Sequence, residues 1–240
     1  MERPVWYVIA AAMIAAVTFT GCAVSSTATG AATVEFKRAS LRVEVNATDG
    51  DAGLQIDFDH DPWESITLKA PDGRTILDIK NQGVLKDYGL TELFSESSEP
   101  PFTEFPLSEF KKLFPEGEYV FEGLQTDGTR MRSSVTLTHD LPGGPVVISP
   151  EEDSTVAADE VVVSWEPVTE PAGIQIVRYQ VLVISERDPV HSFSVILPGD
   201  ATSIAIPPEF LATDGAYKIE VLAIEQSGNQ TLTEVPFTIG

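Results

Sequence analysis

The sequence predicts an all-β protein: two β-sandwiches in tandem, the first with a short helical insert, preceded by a signal peptide and a flexible tether. Three observations carry that expectation. Apolar residues alternate with period two through most of residues 41–240, turn-forming clusters punctuate the alternation, and helical spacing is confined to a stretch around residues 90–114. Composition agrees, because 42% of the 240 residues are hydrophobic, enough for a core in each of two small domains and far from a disordered acidic chain. The 37 Asp plus Glu against 15 Lys plus Arg give a net charge of −22. With no Lys/Arg cluster to neutralise phosphates, nucleic acid is excluded as a partner.

Taken in order, residues 1–21 read as an export signal: Arg3 near the start, an apolar run from Val5, and small residues before Cys22. The run is about sixteen residues, short of the roughly twenty that a spanning helix needs. Cys22 is the only cysteine, so no intramolecular disulfide and no cysteine-built metal site can form. Phe19, Thr20, Gly21 and Cys22 resemble the lipobox of bacterial lipoproteins, although Phe19 stands where that family prefers Leu, Val or Ile. The resemblance implies cleavage before Cys22 and its acylation, palmitate included, which anchors the chain to a membrane. Ala23, rather than Asp, then implies the outer membrane of the bacterial cell envelope. An ordinary secretory signal is the alternative, giving a periplasmic or secreted protein. Residues 22–40, rich in Ala, Ser, Thr and Gly, read as the tether.

Residues 41–145 read as the first domain. Leu41, Val43 and Val45 alternate, then Leu54, Ile56 and Phe58, then Ile66 and Leu68, then Ile76 and Ile79 beyond a Pro71-Asp72-Gly73 turn. Tyr119, Phe121, Met131, Val135 and Leu137 predict a closing hairpin that turns at Thr126-Asp127-Gly128. Between the blocks, Leu90, Leu93 and Phe94 fit helical spacing, and Leu107, Phe110, Lys111 and Phe114 predict a helix after Pro106 with Ser108 as cap. This half resembles an immunoglobulin-like sandwich, and an uncharacterised module found ahead of fibronectin type III domains in some bacterial lipoproteins.

Leu141-Pro142-Gly143-Gly144-Pro145 is the strongest break in the chain and, being short and proline-bearing, restricts the orientation of what it joins. In residues 146–240 the alternation runs Val161, Val163, Trp165; Val177, Tyr179, Val181, Val183; Ile204, Ile206; Tyr217, Ile219, Val221, Ala223. Pro150, Trp165, Tyr179, Leu211, Tyr217 and Ala223 ahead of Gly228 resemble a fibronectin type III domain, which implies that Trp165 and Tyr217 are structural and that the module spaces or binds.

Chemistry is sparse. There is no G-x-S-x-G, no phosphate-cradling glycine loop and no zinc spacing, and His60, His139 and His191 are scattered. Neither an enzyme nor a cofactor is expected. The densest carboxylate group, Asp49, Asp51, Asp57, Asp59 and Asp61, is the candidate calcium site, though on a strand the last three lie about 7 Å apart per step and read as a solvated face. Trp63, after Asp61 and Pro62, is the candidate ligand platform for a sugar ring. The expected function is a lipid-anchored envelope protein that binds or spaces another envelope protein. The alternatives are a polysaccharide-binding lipoprotein and an accessory subunit of an extracytoplasmic enzyme.

Overall fold

The computed structural model describes residues 33–186, 190–211 and 215–240. The lipobox residues Phe19, Thr20, Gly21 and Cys22 lie outside these. Ala31–Gly240 forms one compact unit. The fold is all-β, with sheets packed as sandwich layers and, among the described residues, two short helices.

In the first half, β1 (Thr33–Val34) and β2 (Arg38–Asn46) are followed by β3 (Asp51–Lys69), β4 (Thr75–Lys80), α1 (Val84–Tyr88) and β5 (Leu90–Glu96). Then come α2 (Leu107–Leu113), β6 (Gly117–Gln125) and β7 (Arg130–Leu137). The organising element is β3. Its first part pairs with β2 on one side and β5 on the other, from Asn46↔Asp51 to Arg38↔Asp59 and from Gln55↔Glu96 to Asp59↔Glu92. Its second part pairs instead with β4 and β6. Register shifts between Asp59 and Ser65 mark where the strand leaves one layer for the other, as strands do at sandwich corners. The alternation expected on both sides of the acidic stretch is therefore one continuous strand, not two. Leu54, Ile56, Phe58, Trp63, Ile66 and Leu68 all face one core with Leu41, Val43, Tyr119 and Phe121. Burial of each such side chain contributes about 1.5–3 kcal/mol.

Three expectations are corrected here. Residues 33–40 are not wholly tether, because Thr33–Val34 and Arg38–Ser40 already pair in the sheet. Leu90, Leu93 and Phe94 lie on β5, where pairing with the open side of β3 overrides a local spacing that also suits a helix. α2 forms where expected, but its N-cap is Pro106 and not Ser108. Phe110 of α2 is buried against the end of the core, with Phe114 at 5.0 Å between ring centroids. Tyr119 is fully buried and its hydroxyl donates to the Pro115 carbonyl at 3.0 Å, a tyrosine corner the sequence did not announce.

The second half sets β8 (Val147–Ser149), β10 (Val162–Trp165) and β13 (Ser203–Ala205) as one sheet. Facing it are β11 (Ile176–Ser185), β12 (Ser192–Pro198), β14 (Gly215–Glu225) and β15 (Gln230–Ile239), with β9 (Thr155–Val156) parallel to the end of β15. Trp165 and Tyr217 are buried in the core between the sheets, and the Trp165 and Tyr179 rings lie 5.2 Å apart. The Tyr179 hydroxyl accepts from the Val168 N–H at 2.8 Å.

The halves are not beads on a string. β15 pairs in parallel with β2, Gln230↔Glu44 through Leu232↔Asn46, so that strands of both halves run in one sheet in the order β1-β7-β6-β3-β2-β15-β14-β11-β12.

Candidate functional site

The seam between β2 and β15 gathers buried polar groups that join the two halves. Asn229, at the β14–β15 turn, is 1% exposed. Its Oδ1 accepts from the Val43 N–H at 2.8 Å, and its Nδ2 donates to the Thr138 carbonyl at 3.0 Å, the Thr138 hydroxyl at 3.0 Å and the Asp140 carbonyl at 3.3 Å. One side chain therefore ties the turn of the second half to a strand of the first and to the chain leading out of it. Thr231 Oγ1 donates to the Pro142 carbonyl at 2.7 Å, and the Glu234 N–H donates to Thr48 Oγ1 at 2.8 Å. Gly144 lets the connecting segment lie flat, since a Cβ there would sit 2.7 Å from Ala47 Cβ and 3.0 Å from Thr233 Oγ1.

Beside this seam, on the outer face of the shared sheet, lies a carboxylate and carboxamide network. Glu44 on β2 accepts from Gln230 Nε2 on β15; Gln55 on β3 donates to Glu96 on β5 at 2.7 Å; Arg42 Nε donates to Gln55 Oε1 at 2.7 Å. Glu99 lies over β3 because Gly53 leaves it room: a Cβ on Gly53 would meet the Glu99 carboxylate oxygen at 2.5 Å. Glu44, Glu96 and Glu99 each offer an oxygen, all within 4.8 Å of one another. Burial, then the charges of Glu96, Asp51, Glu44 and Asp49, push the Glu99 carboxyl up to about 7. Burial also raises Glu44, against the hydrogen bond from Gln230, and burial with Asp49 and Glu234 raises Asp51. Chemically such a group shares a proton or takes a hard cation, for which oxygens are the preferred ligands.

The carboxylates singled out by sequence do not assemble into one site. Asp57 is held by Arg38 through two bonds of 2.9 Å, and Asp61 pairs with Lys37 at 2.5 Å. Asp59 lies further along the extended strand, and Asp49 accepts from Asn46 at 3.0 Å. Of these, Asp51, at the start of β3, and Asp49, in the turn before it, reach the field of the glutamates. An extended backbone spaces its outward carboxylates along its length, which is why density in sequence does not become proximity in space. Trp63 is corrected outright: it is 0% exposed, its ring centroid 5.6 Å from that of Phe58, and it offers no face to a sugar. The three histidines stay apart, His60 on the Glu35 carbonyl, His139 on the Phe114 carbonyl and His191 against the Phe210 ring. Glu44, Glu96 and Glu99 were missed, although Gly53 inside a strand was a legible sign of close approach.

No family model matches the chain. Among solved structures it is similar to the FN1–FN3 domains of chicken CNTN1, with 12% identity and a TM-score of 0.35 over 86% of this chain and 64% of that one. It is similar also to a tetra-tandem repeat from the extending region of a large adhesion protein, at 14% identity and TM-score 0.28 over 85% of this chain and 50% of that one. A third likeness is to a two-domain fibronectin type III segment of chicken tenascin, at 13% identity and TM-score 0.32 over 83% and 98% of the two chains. The chain thus spans less than two thirds of the length of the first two.

Proposed function

We propose that this chain is a lipid-anchored protein of the bacterial cell envelope, attached through acylated Cys22, that binds or spaces another envelope protein without catalysing a reaction. The observation that carries the reading is the seam: backbone pairing of β15 with β2, bolted by Asn229, holds modules 41–145 and 146–240 in one orientation. A rigid pair of sandwiches on a tether suits presenting loops and sheet edges at a fixed distance from a surface. Among the described residues no helix is long and apolar enough to cross a membrane. The carboxylate network would add proton or cation sensitivity to that display.

The anchor is tested by the intact mass of the mature amino-terminal peptide from bacterial expression, beside Cys22→Ala. A diacyl or triacyl mass on Cys22, absent from the variant, is expected; an unmodified start removes the anchor. In-cell cross-linking from the outer sheet face is expected to trap a distinct envelope protein, and failure to trap one leaves spacing as the role.

A further inference from the structure

Single apolar side chains are common on a protein surface, but a cluster of them marks a contact. In α1, Val84, Leu85 and Tyr88 are 85%, 41% and 79% exposed, and no residue of the helix is buried. No other five-residue stretch among the described residues bares more than two large apolar side chains. The helix is nonetheless firmly footed. On its approach Asn81 is buried, its N–H donating to the Glu64 carbonyl at 2.8 Å and its Nδ2 to the Trp63 carbonyl at 2.6 Å. On its exit Gly89 is buried with φ 83°, where a Cβ would stand 2.6 Å from Pro62 Cβ and 3.1 Å from Thr126 Cγ2. The apolar residues are held out between two fixed points.

Those two points place α1 at one end of the first half. Asn81 and Gly89 meet the corner of β3, where Trp63 stands opposite Gln125 at the start of the Thr126-Asp127-Gly128 turn. β1 enters the sheet at the same end, because Thr33 pairs with Arg130, where β7 leaves that turn, and runs parallel to it. Eleven residues lead from Cys22 to Thr33, a span of at most about 40 Å. An anchor on Cys22 therefore keeps the α1 end of the molecule close to the lipid. Charge does not oppose the approach. Lys80, Lys86 and Arg130 pair with no carboxylate among the described residues. At this end they stand against Glu64, Asp87 and Asp127, so the −22 of the whole chain is not concentrated here.

We propose that α1 is a second membrane contact, with Val84, Leu85 and Tyr88 dipping into the interface of the bilayer that holds acylated Cys22. The inference rests on that anchor, which is what brings a lipid surface within reach of this end. The three side chains, at positions i, i+1 and i+4 of one short helix, share a side and form a raised tip. Tyr88 suits the boundary, since its ring can lie below the headgroups while its hydroxyl stays in water. Lys80 and Lys86 can lay their stems along the same surface and reach lipid phosphates. So small a tip binds free lipid weakly. The tether makes the encounter intramolecular, at an effective concentration on the order of mM for a short linker, and the contact holds only while the anchor does. Two points of attachment then fix which way the first half faces.

Residues 22–240 contain the whole compact unit and a single thiol, so coupling Cys22 to phosphatidylcholine vesicles that carry a maleimide lipid installs an anchor at the native position without cellular acylation. Tyr88→Trp is the reporter, because Trp63 and Trp165 are buried and give a fixed background. On coupling, its emission is expected to move to shorter wavelength and to be quenched by lipid brominated in the acyl chains. Thr136→Trp, exposed and about 20 Å along β7 from Arg130, is expected to keep its emission. Val84→Asp with Leu85→Asp, added to the reporter, abolishes the shift and the quenching, while circular dichroism melts stay in place because neither residue is buried. Emission unchanged on coupling, equal quenching at positions 88 and 136, or quenching indifferent to the two aspartates overturns the proposal. The coupling is chemical, so the two readings fail separately. An unmodified Cys22 in cells removes the anchor and with it the bilayer proposed to cover α1, whereas failure to insert on coupled vesicles removes the α1 contact and leaves the anchor.

Discussion

Replacing Asn229 by alanine removes the acceptor of a fully buried amide. Val43 is 0% exposed, and its N–H has the Asn229 Oδ1 at 2.8 Å as partner. Without that oxygen the amide is left buried and unsatisfied, at about 1–3 kcal/mol. Loss of the bonds to Thr138 adds about 1 kcal/mol, less than a buried pair because Thr138 is only half-buried and its carbonyl regains water. Asn229→Ala therefore costs about 2–4 kcal/mol in urea unfolding, the larger part from the first half even though the substitution lies in the second. Hydrogen exchange should report it locally, with the Val43 amide losing protection before the core amides of β6 and β11. Asn229→Asp keeps an acceptor but sets a carboxylate against two carbonyls, and should be no less harmful. A loss below about 0.5 kcal/mol, with Val43 protection unchanged, refutes the reasoning.

Glu99 makes stability pH-dependent. Because its folded value of about 7 lies above the ordinary 4.5, its contribution is fully present below pH 4.5 and is lost as pH rises through about 7. Glu99→Gln should flatten that slope and raise stability at pH 8 by about 1 kcal/mol, discounted for the water around this partly exposed side chain, as read from melts across pH. Trp63→Ala empties a fully buried site and should cost about 3–5 kcal/mol, detectable by denaturant titration, with no change in any sugar binding. Gly144→Ala pushes a methyl to within 2.7 Å of Ala47 and should destabilise by about 1–3 kcal/mol in the same titration.

The layers of the second half were legible because strands β10, β11 and β14 bury one face and bare the other, so Val181, Val183, Ile219 and Val221 repeat with period two. The first half was harder where a long-range pairing decides the outcome. β5 hangs on the open side of β3, and nothing in Leu90, Leu93 and Phe94 announces that partner. Trp63 looked like the end of a strand because Asp61 and Pro62 precede it; in fact β3 continues through them around a corner and carries the indole inward. The seam left no local trace at all. Three residue pairs join positions 44–46 to 230–232, and Asn229 reads in sequence as one more turn residue after Ser227 and Gly228. The connecting Pro and Gly run suggested restraint, but the restraint comes from β15 lying along β2. The glutamate cluster likewise needs β2, β5 and the segment after it to converge, which no spacing encodes.

The edge-to-edge join has an evolutionary reading. A module linked only by a flexible connector can be duplicated, deleted or exchanged, because its neighbours ask nothing of it. Here the second module supplies the bordering strand of the first, along with the asparagine that satisfies Val43, so a recombined copy arrives with a mismatched border unless it brings both. The two halves are thereby committed to inheritance as a pair, and changes in their orientation must come through the backbone register of one three-residue ladder rather than through drift in surface side chains.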